Sequence, residues 1–174
     1  MLGEVIGESR GKRTARRVLS VADGFTVEVP FETTDKLLGI DTQEIGTYWS
    51  ESRPDGTLYG EGQGVIIGAD GNNGTWRGQG VGKFVGEGKL SYRGAIYFST
   101  ASPKLARLNE VAAVFEFDVD AEGNTHSKLW EWKKPHAAIN PSGADGAPGN
   151  QTRDGPMSPT CRPAKLSDGP ERGF

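Results

Sequence analysis

Two histidines, one cysteine and scattered carboxylates are the conventional chemical groups of this 174-residue chain. If the turn DAEGN pairs Asp120 with Asn124, His126 falls opposite Asp118 on neighbouring strands. Such a pair could orient an imidazole for acid–base work, but no nucleophile accompanies it, and a solvated cross-strand pair is the simpler account. Glu44, Glu61 and Glu116 could each supply a carboxylate for proton transfer, and Tyr48, Tyr59 or Arg77 could polarise an oxygen. The lone Cys161 excludes an internal disulfide and a cysteine-based metal site. Two histidines make a catalytic zinc centre improbable, so neither metal nor cofactor is expected.

Glycine spacing is the other feature with a chemical reading. Gly60, Gly62 and Gly64 in LYGEGQGVI, and Gly78, Gly80 and Gly82 in TWRGQGVGKF, invite a nucleotide site. A dinucleotide fingerprint must end a parallel strand and open a helix, whereas these glycines lie inside strand-like segments. The phosphate-loop pattern fails too: Gly82-Lys83 is followed by Phe84 where a hydroxyl is required, and Arg77 stands where the first glycine should be.

A period of two is a strand period, so each glycine run presents one face of nearly bare backbone, with DGNNG as the turn between them. That many glycines on one face imply strong sheet curvature, or bulky groups approaching from the opposite side. Hairpin-spaced strand signals recur from residue 11 to residue 133 without a competing helical period. Phe25, Val27, Val29 and Phe31 alternate with polar residues, and Pro30 places that strand at an edge or a bulge. RPDGT sets Arg53 against Thr57, hence Tyr48 opposite Gly62 and Ser50 opposite Gly60. DAEGN similarly sets Glu116 beside Lys128 and Val114 beside Trp130. In ASPKLARLN, Ser102 reads as a cap, Pro103 as the first helical position and Asn109 as a stop, with Leu105 and Leu108 on one face to cover a barrel mouth.

The expected fold is therefore all-β: a closed antiparallel up-and-down barrel of about eight strands with one short helical turn, an open sandwich being the alternative. Two choices of inner face remain. A glycine-face interior carries Leu58, Ile66, Trp76 and Phe84, with Tyr48 among them and Phe98, Phe115 and Phe117 reaching across. The opposite choice lines the lumen with Glu61, Gln63, Arg77 and Gln79, a costly burial unless those groups pair or meet a ligand.

The barrel domain is expected over residues 1–134. Beyond it, 135–174 holds seven of the ten prolines and no tryptophan or tyrosine, and reads as a disordered tail. A net charge of −3 offers no global attraction to nucleic acid or anionic membrane. The only basic cluster, Arg10, Lys12, Arg13, Arg16 and Arg17, is split by strand alternation. No stretch of eighteen apolar residues occurs, which gives the expectation of a soluble, cytoplasmic protein.

The runs GTYWSESRPDGTLYGEGQGV, TWRGQGVGKF, YRGAIYFSTASPKLARLN and VFEFDVDAEGNT resemble uncharacterised prokaryotic proteins of the calycin-like or allene-oxide-cyclase-like barrel type, over about residues 10 to 133. The resemblance implies a barrel with an apolar pocket, and no catalytic residue of the cyclase matches a position here. Three roles follow. The first is a barrel binding a small apolar or amphipathic molecule, lined by Tyr48, Trp76, Phe84, Phe98, Phe115 and Phe117. The second is a cofactor-free isomerase or cyclase working in the lumen through Glu61 or Arg77. The third is a structural or interaction module, homo-oligomeric or with a protein partner, anchored by Trp49 or by Trp130 and Trp132.

Overall fold

The computed structural model describes residues 2–133. The expected tail, with His136 and Cys161, lies outside the described residues. Nine strands run in chain order: β1 Leu2–Arg13, β2 Arg17–Ser20, β3 Thr26–Leu37, β4 Ile40–Ser52, β5 Leu58–Gly68, β6 Gly74–Phe84, β7 Leu90–Ser99, β8 Ala113–Val119 and β9 Asn124–Trp132. Each pairs antiparallel with its neighbour from β3 through β9, β9 pairs with β1, and β1 pairs with β3. Eight strands thus form a closed barrel, with β2 a short extra strand. Closure removes the open edges that an antiparallel sheet would otherwise present.

Pro30 shows how the closing seam is organised. On the side of β3 away from β4, the end towards Leu37 pairs with β1 and the end towards Thr26 pairs with β2. Thr14 N donates to Pro30 O at 2.9 Å in the break between those partners. A strand residue turns its N–H and C=O to the same neighbour, so the amide hydrogen that proline lacks falls where the partner strand is interrupted. Pro30 is therefore an interior residue of a continuous ladder with β4, opposite Thr47, and not an edge.

Alternation decides which face is inside, and the glycine face wins. Leu58 and Ile66 on β5 and Trp76 on β6 are buried, whereas Val65, Ile67 and Val81 are exposed. The register is Tyr48 against Gly62 and Ser50 against Gly60, as the PDG turn requires. The bare stripe leaves room for rings from adjacent strands. A Cβ at Gly64 would lie 2.4 Å from the Trp76 indole nitrogen, so that ring lies directly over the backbone there. At Gly94 the obstacle is backbone itself, with a Cβ placed 2.1 Å from Gln79 O. One glycine admits an aromatic side chain and the other a close strand.

The segment after β7 forms a 3-10 helix, Pro103–Glu110, one residue beyond the expected stop. Leu105 and Leu108 are 0% and 1% exposed and join the main core with Ile6, Leu37, Ile66 and Ile96. Ser102 makes no side-chain cap. Its hydroxyl donates instead to Asn72 Oδ1 at 2.9 Å, tying the helix to the β5–β6 connection. No helix among the described residues is long and apolar enough to cross a membrane.

Candidate functional site

Inside the barrel is a cavity of about 100 Å³ walled mainly by apolar groups. Five of the six expected lining residues, Tyr48, Trp76, Phe98, Phe115 and Phe117, border it. Phe84 does not, and that expectation is corrected. It has the inward parity but is the last residue of β6, paired with Leu90 at the rim, and is 57% exposed. Phe31, which the sequence marked only as a strand residue, takes a central place. Its ring centroid lies 6.0 Å from Tyr48, 6.3 Å from Trp76 and 5.8 Å from Phe117, and tilted or edge-on packing of this kind suits the quadrupoles of the rings.

The period-two run that buries Val29 and Phe31 continues through Thr33, Asp35 and Leu37, so β3 turns a threonine and an aspartate inward. On β4 the same parity carries Thr42, Glu44, Gly46 and Tyr48. Asp35 pairs across strands with Thr42 and Ser9, and Thr33 pairs with Glu44. The two carboxyls are therefore diagonal neighbours on one inner face, a relation that sets Cα atoms about 7–8 Å apart. The Thr33 hydroxyl donates to Asp35 Oδ1 at 2.6 Å, and the Ser9 and Ser127 hydroxyls share a 2.8 Å hydrogen bond beside them.

Glu44 lines the cavity. One of its carboxyl oxygens would be 3.1 Å from a Cβ at Gly46, a position that the Phe31 ring also crowds. The buried Trp76 indole N–H, on the same cavity wall, has no hydrogen-bond partner among the described residues. Burial, helped by repulsion from Asp35, pushes Glu44 up to about 8, so it keeps its proton at neutral pH. Burial also raises Asp35, to about 6, against the opposing hydrogen bond from Thr33 and the influence of the neighbouring Ser9 hydroxyl. At neutral pH one carboxyl is mainly acid and the other mainly base. Asp35 also borders an open hollow outside the cavity, shared with Glu8, Ser9 and Lys36.

Further along β4, Tyr48 is 8% exposed and its hydroxyl has no protein partner among the described residues. The Arg13 guanidinium approaches this hydroxyl without closing a hydrogen bond, and burial raises the phenol above its ordinary range. Tyr92 is better served, sharing a buried 2.6 Å hydrogen bond with Ser50. The interior is thus an aromatic column with a carboxyl pair on one side of Tyr48 and an arginine on the other.

The remaining candidates lie on the outside. Glu61 accepts a 2.6 Å hydrogen bond from the Tyr59 hydroxyl, which packs under Arg53, and Arg77 is exposed. Both lie on the face opposite the glycine stripe, and of the two only Glu61 borders the cavity, its carboxyl engaged by Tyr59. Glu116 pairs with Arg93. His126 is opposite Asp118 in register, yet its Nε2 meets Glu8 of β1 at 2.9 Å, while Asp118 accepts from Ser91 at 2.6 Å. The basic cluster divides as alternation requires, with Arg10 bound to Glu8 and Arg17 to Glu28. Trp132 is 66% exposed, whereas Trp49 and Trp130 are half-buried. No cluster of three or more potential metal ligands occurs among the described residues.

Solved structures share this architecture. A protein of unknown function from Clostridium acetobutylicum superposes with a TM-score of 0.66 at 17% identity, over 74% of this chain and 96% of that one. A β-barrel-like protein from Acinetobacter baumannii gives a TM-score of 0.65 at 15% identity, over 76% and 96%. An enzyme from Penicillium herquei gives 0.52 at 16% identity, over 74% and 92%. At such identities the likeness is one of fold. No protein-family model and no curated protein matches the chain.

Proposed function

We propose that this barrel binds a small, uncharged molecule with an apolar body and one hydrogen-bond acceptor. The observation that carries the reading is the aromatic cavity of about 100 Å³ onto which Trp76 and Tyr48 bring buried polar groups that no described residue hydrogen-bonds, with the Glu44 carboxyl on the same wall. Ligand sites are typically apolar with a few polar atoms fixing orientation. An apolar protein cavity of about 150 Å³ takes up benzene, so the ligand is of about that size or smaller. Charge narrows the class further: the protonated Glu44 donates to a neutral oxygen, and the ionised Asp35 repels an anion. The finer kinship with calycin-like or allene-oxide-cyclase-like barrels belongs to the same reading, supported by the closed eight-strand wall and its apolar lumen.

Two probes of similar size test this. In NMR titrations at neutral pH, cyclopentanone is expected to shift the Trp76 indole resonance saturably, and isobutyrate to leave it in place. An indole that responds to neither, or to isobutyrate alone, would remove the reading.

A further inference from the structure

Resting on that binding reading, we propose that Glu44 and Asp35 act as an acid–base pair that moves a proton on a small enolisable ketone held in the cavity. Three observations converge. The carboxyls are diagonal neighbours on the inner faces of β3 and β4, and both border the cavity. Trp76, 8% exposed and on the wall of the same cavity, carries an unpartnered N–H. Asp35 alone of the two also borders the open hollow outside, so the pair has one member facing the bound molecule and one in touch with solvent.

The division of labour follows from these positions. The Asp35 carboxylate takes a proton from the carbon beside the carbonyl. That C–H bond breaks, its electron pair becomes the new C=C bond, and the carbonyl π pair takes the proton of Glu44. The products are an enol, a protonated Asp35 and an ionised Glu44. In the return step Glu44 takes back the enol proton while Asp35, whose proton exchanges with solvent through the outer hollow, delivers one to carbon. Return to the original carbon exchanges its hydrogen. Return to the far end of a conjugated enol moves a double bond. Atoms and charge balance without oxidant, reductant or cofactor, and the water-poor wall strengthens both hydrogen bonds to the reacting oxygen.

Substrates of this class are small neutral ketones with acidic hydrogens beside the carbonyl. The test measures two quantities with cyclopentanone: binding, by the Trp76 indole resonance in H₂O, and loss of α-hydrogen signal in D₂O. The folded protein is expected to accelerate α-deuteration about tenfold or more over buffer of equal pH. Glu44→Gln and Asp35→Asn are each expected to abolish most of that acceleration while cyclopentanone still binds, since both amides keep the size and hydrogen-bonding shape of the wild-type groups. Glu116→Gln, on the outer face and paired with Arg93 away from the cavity, is expected to exchange at the wild-type rate. Binding without acceleration, or acceleration that survives both inner substitutions, overturns the acid–base pair and leaves the binding reading intact. Failure to bind overturns both.

Discussion

Glu44 carries the largest upward shift of the carboxyls among the described residues, and that has a thermodynamic signature. Its carboxyl titrates at about 8 in the folded protein against 4.5 for an ordinary glutamate. Across that window the unfolded chain has released a proton that the folded chain retains, so raising pH favours unfolding, by about 1.4 kcal/mol per pH unit. Asp35 adds to the slope between its ordinary 3.8 and about 6. The carboxylates at or near the surface that hydrogen bonds hold low, Glu4, Glu8, Asp55, Asp120 and Glu131, act oppositely at more acid pH and weakly, because solvent screens them. Urea unfolding of the wild type is thus expected to show stability falling as pH rises from 5 to 8. Glu44→Gln removes most of that fall, and its advantage over wild type grows with pH. A wild-type stability flat over this range would contradict the burial. Glu44 could be placed from sequence, since it shares parity with Tyr48, but its partner could not be seen while the inner face of β3 was followed no further than Phe31. Counting on through Thr33 to Asp35 finds it.

At the scale of single strands, the legible features were the local ones. PDG and DAEGN fix their hairpins through left-handed glycines, Gly56 at φ 82° and Gly123 at φ 84°, and the registers of β4 with β5 and β8 with β9 follow by counting. The β3–β4 turn was hidden because its first residue is Leu38, a left-handed leucine at φ 50° that no turn preference suggests. The start of β1 was hidden because register shifts on either side of Val5 break its period of two. Phe84 misled because parity states which way a side chain points and not where the wall ends. The glycine stripe makes a sharper demand on side-chain volume than any of these. In Gly64→Ala the new methyl meets three atoms of the Trp76 indole at 2.4, 2.7 and 2.9 Å, and a rigid ring cannot yield as a flexible chain would. Overpacking of this kind costs about 1–3 kcal/mol. The variant is expected to lose that much stability in denaturant melts and to change its tryptophan emission, whereas unchanged emission would mean that the indole does not lie over that backbone.

For the molecule as a whole, closure turns a curved sheet into a compartment. The seam joins residues far apart in sequence: Ser9 meets Ser127 at 2.8 Å, and Glu8 meets His126 at 2.9 Å. No local pattern encodes such pairs, which is why the barrel and the position of His126 opposite Asp118 could be inferred while its bond to Glu8 across the seam could not. Closure is also what keeps Glu44 from water, with the aromatic column along the cavity and Leu105 and Leu108 of the 3-10 helix packed into the same core. An open sheet would leave that carboxyl hydrated and ordinary. The titration of this one group therefore reports on the compartment and on the chemistry assigned to it together. In a ¹³C NMR titration of the side-chain carboxyls, the Glu44 resonance is expected to move with a midpoint near 8, well above the exposed glutamates. A midpoint at the ordinary glutamate value would contradict a water-poor lumen and the acid placed in it.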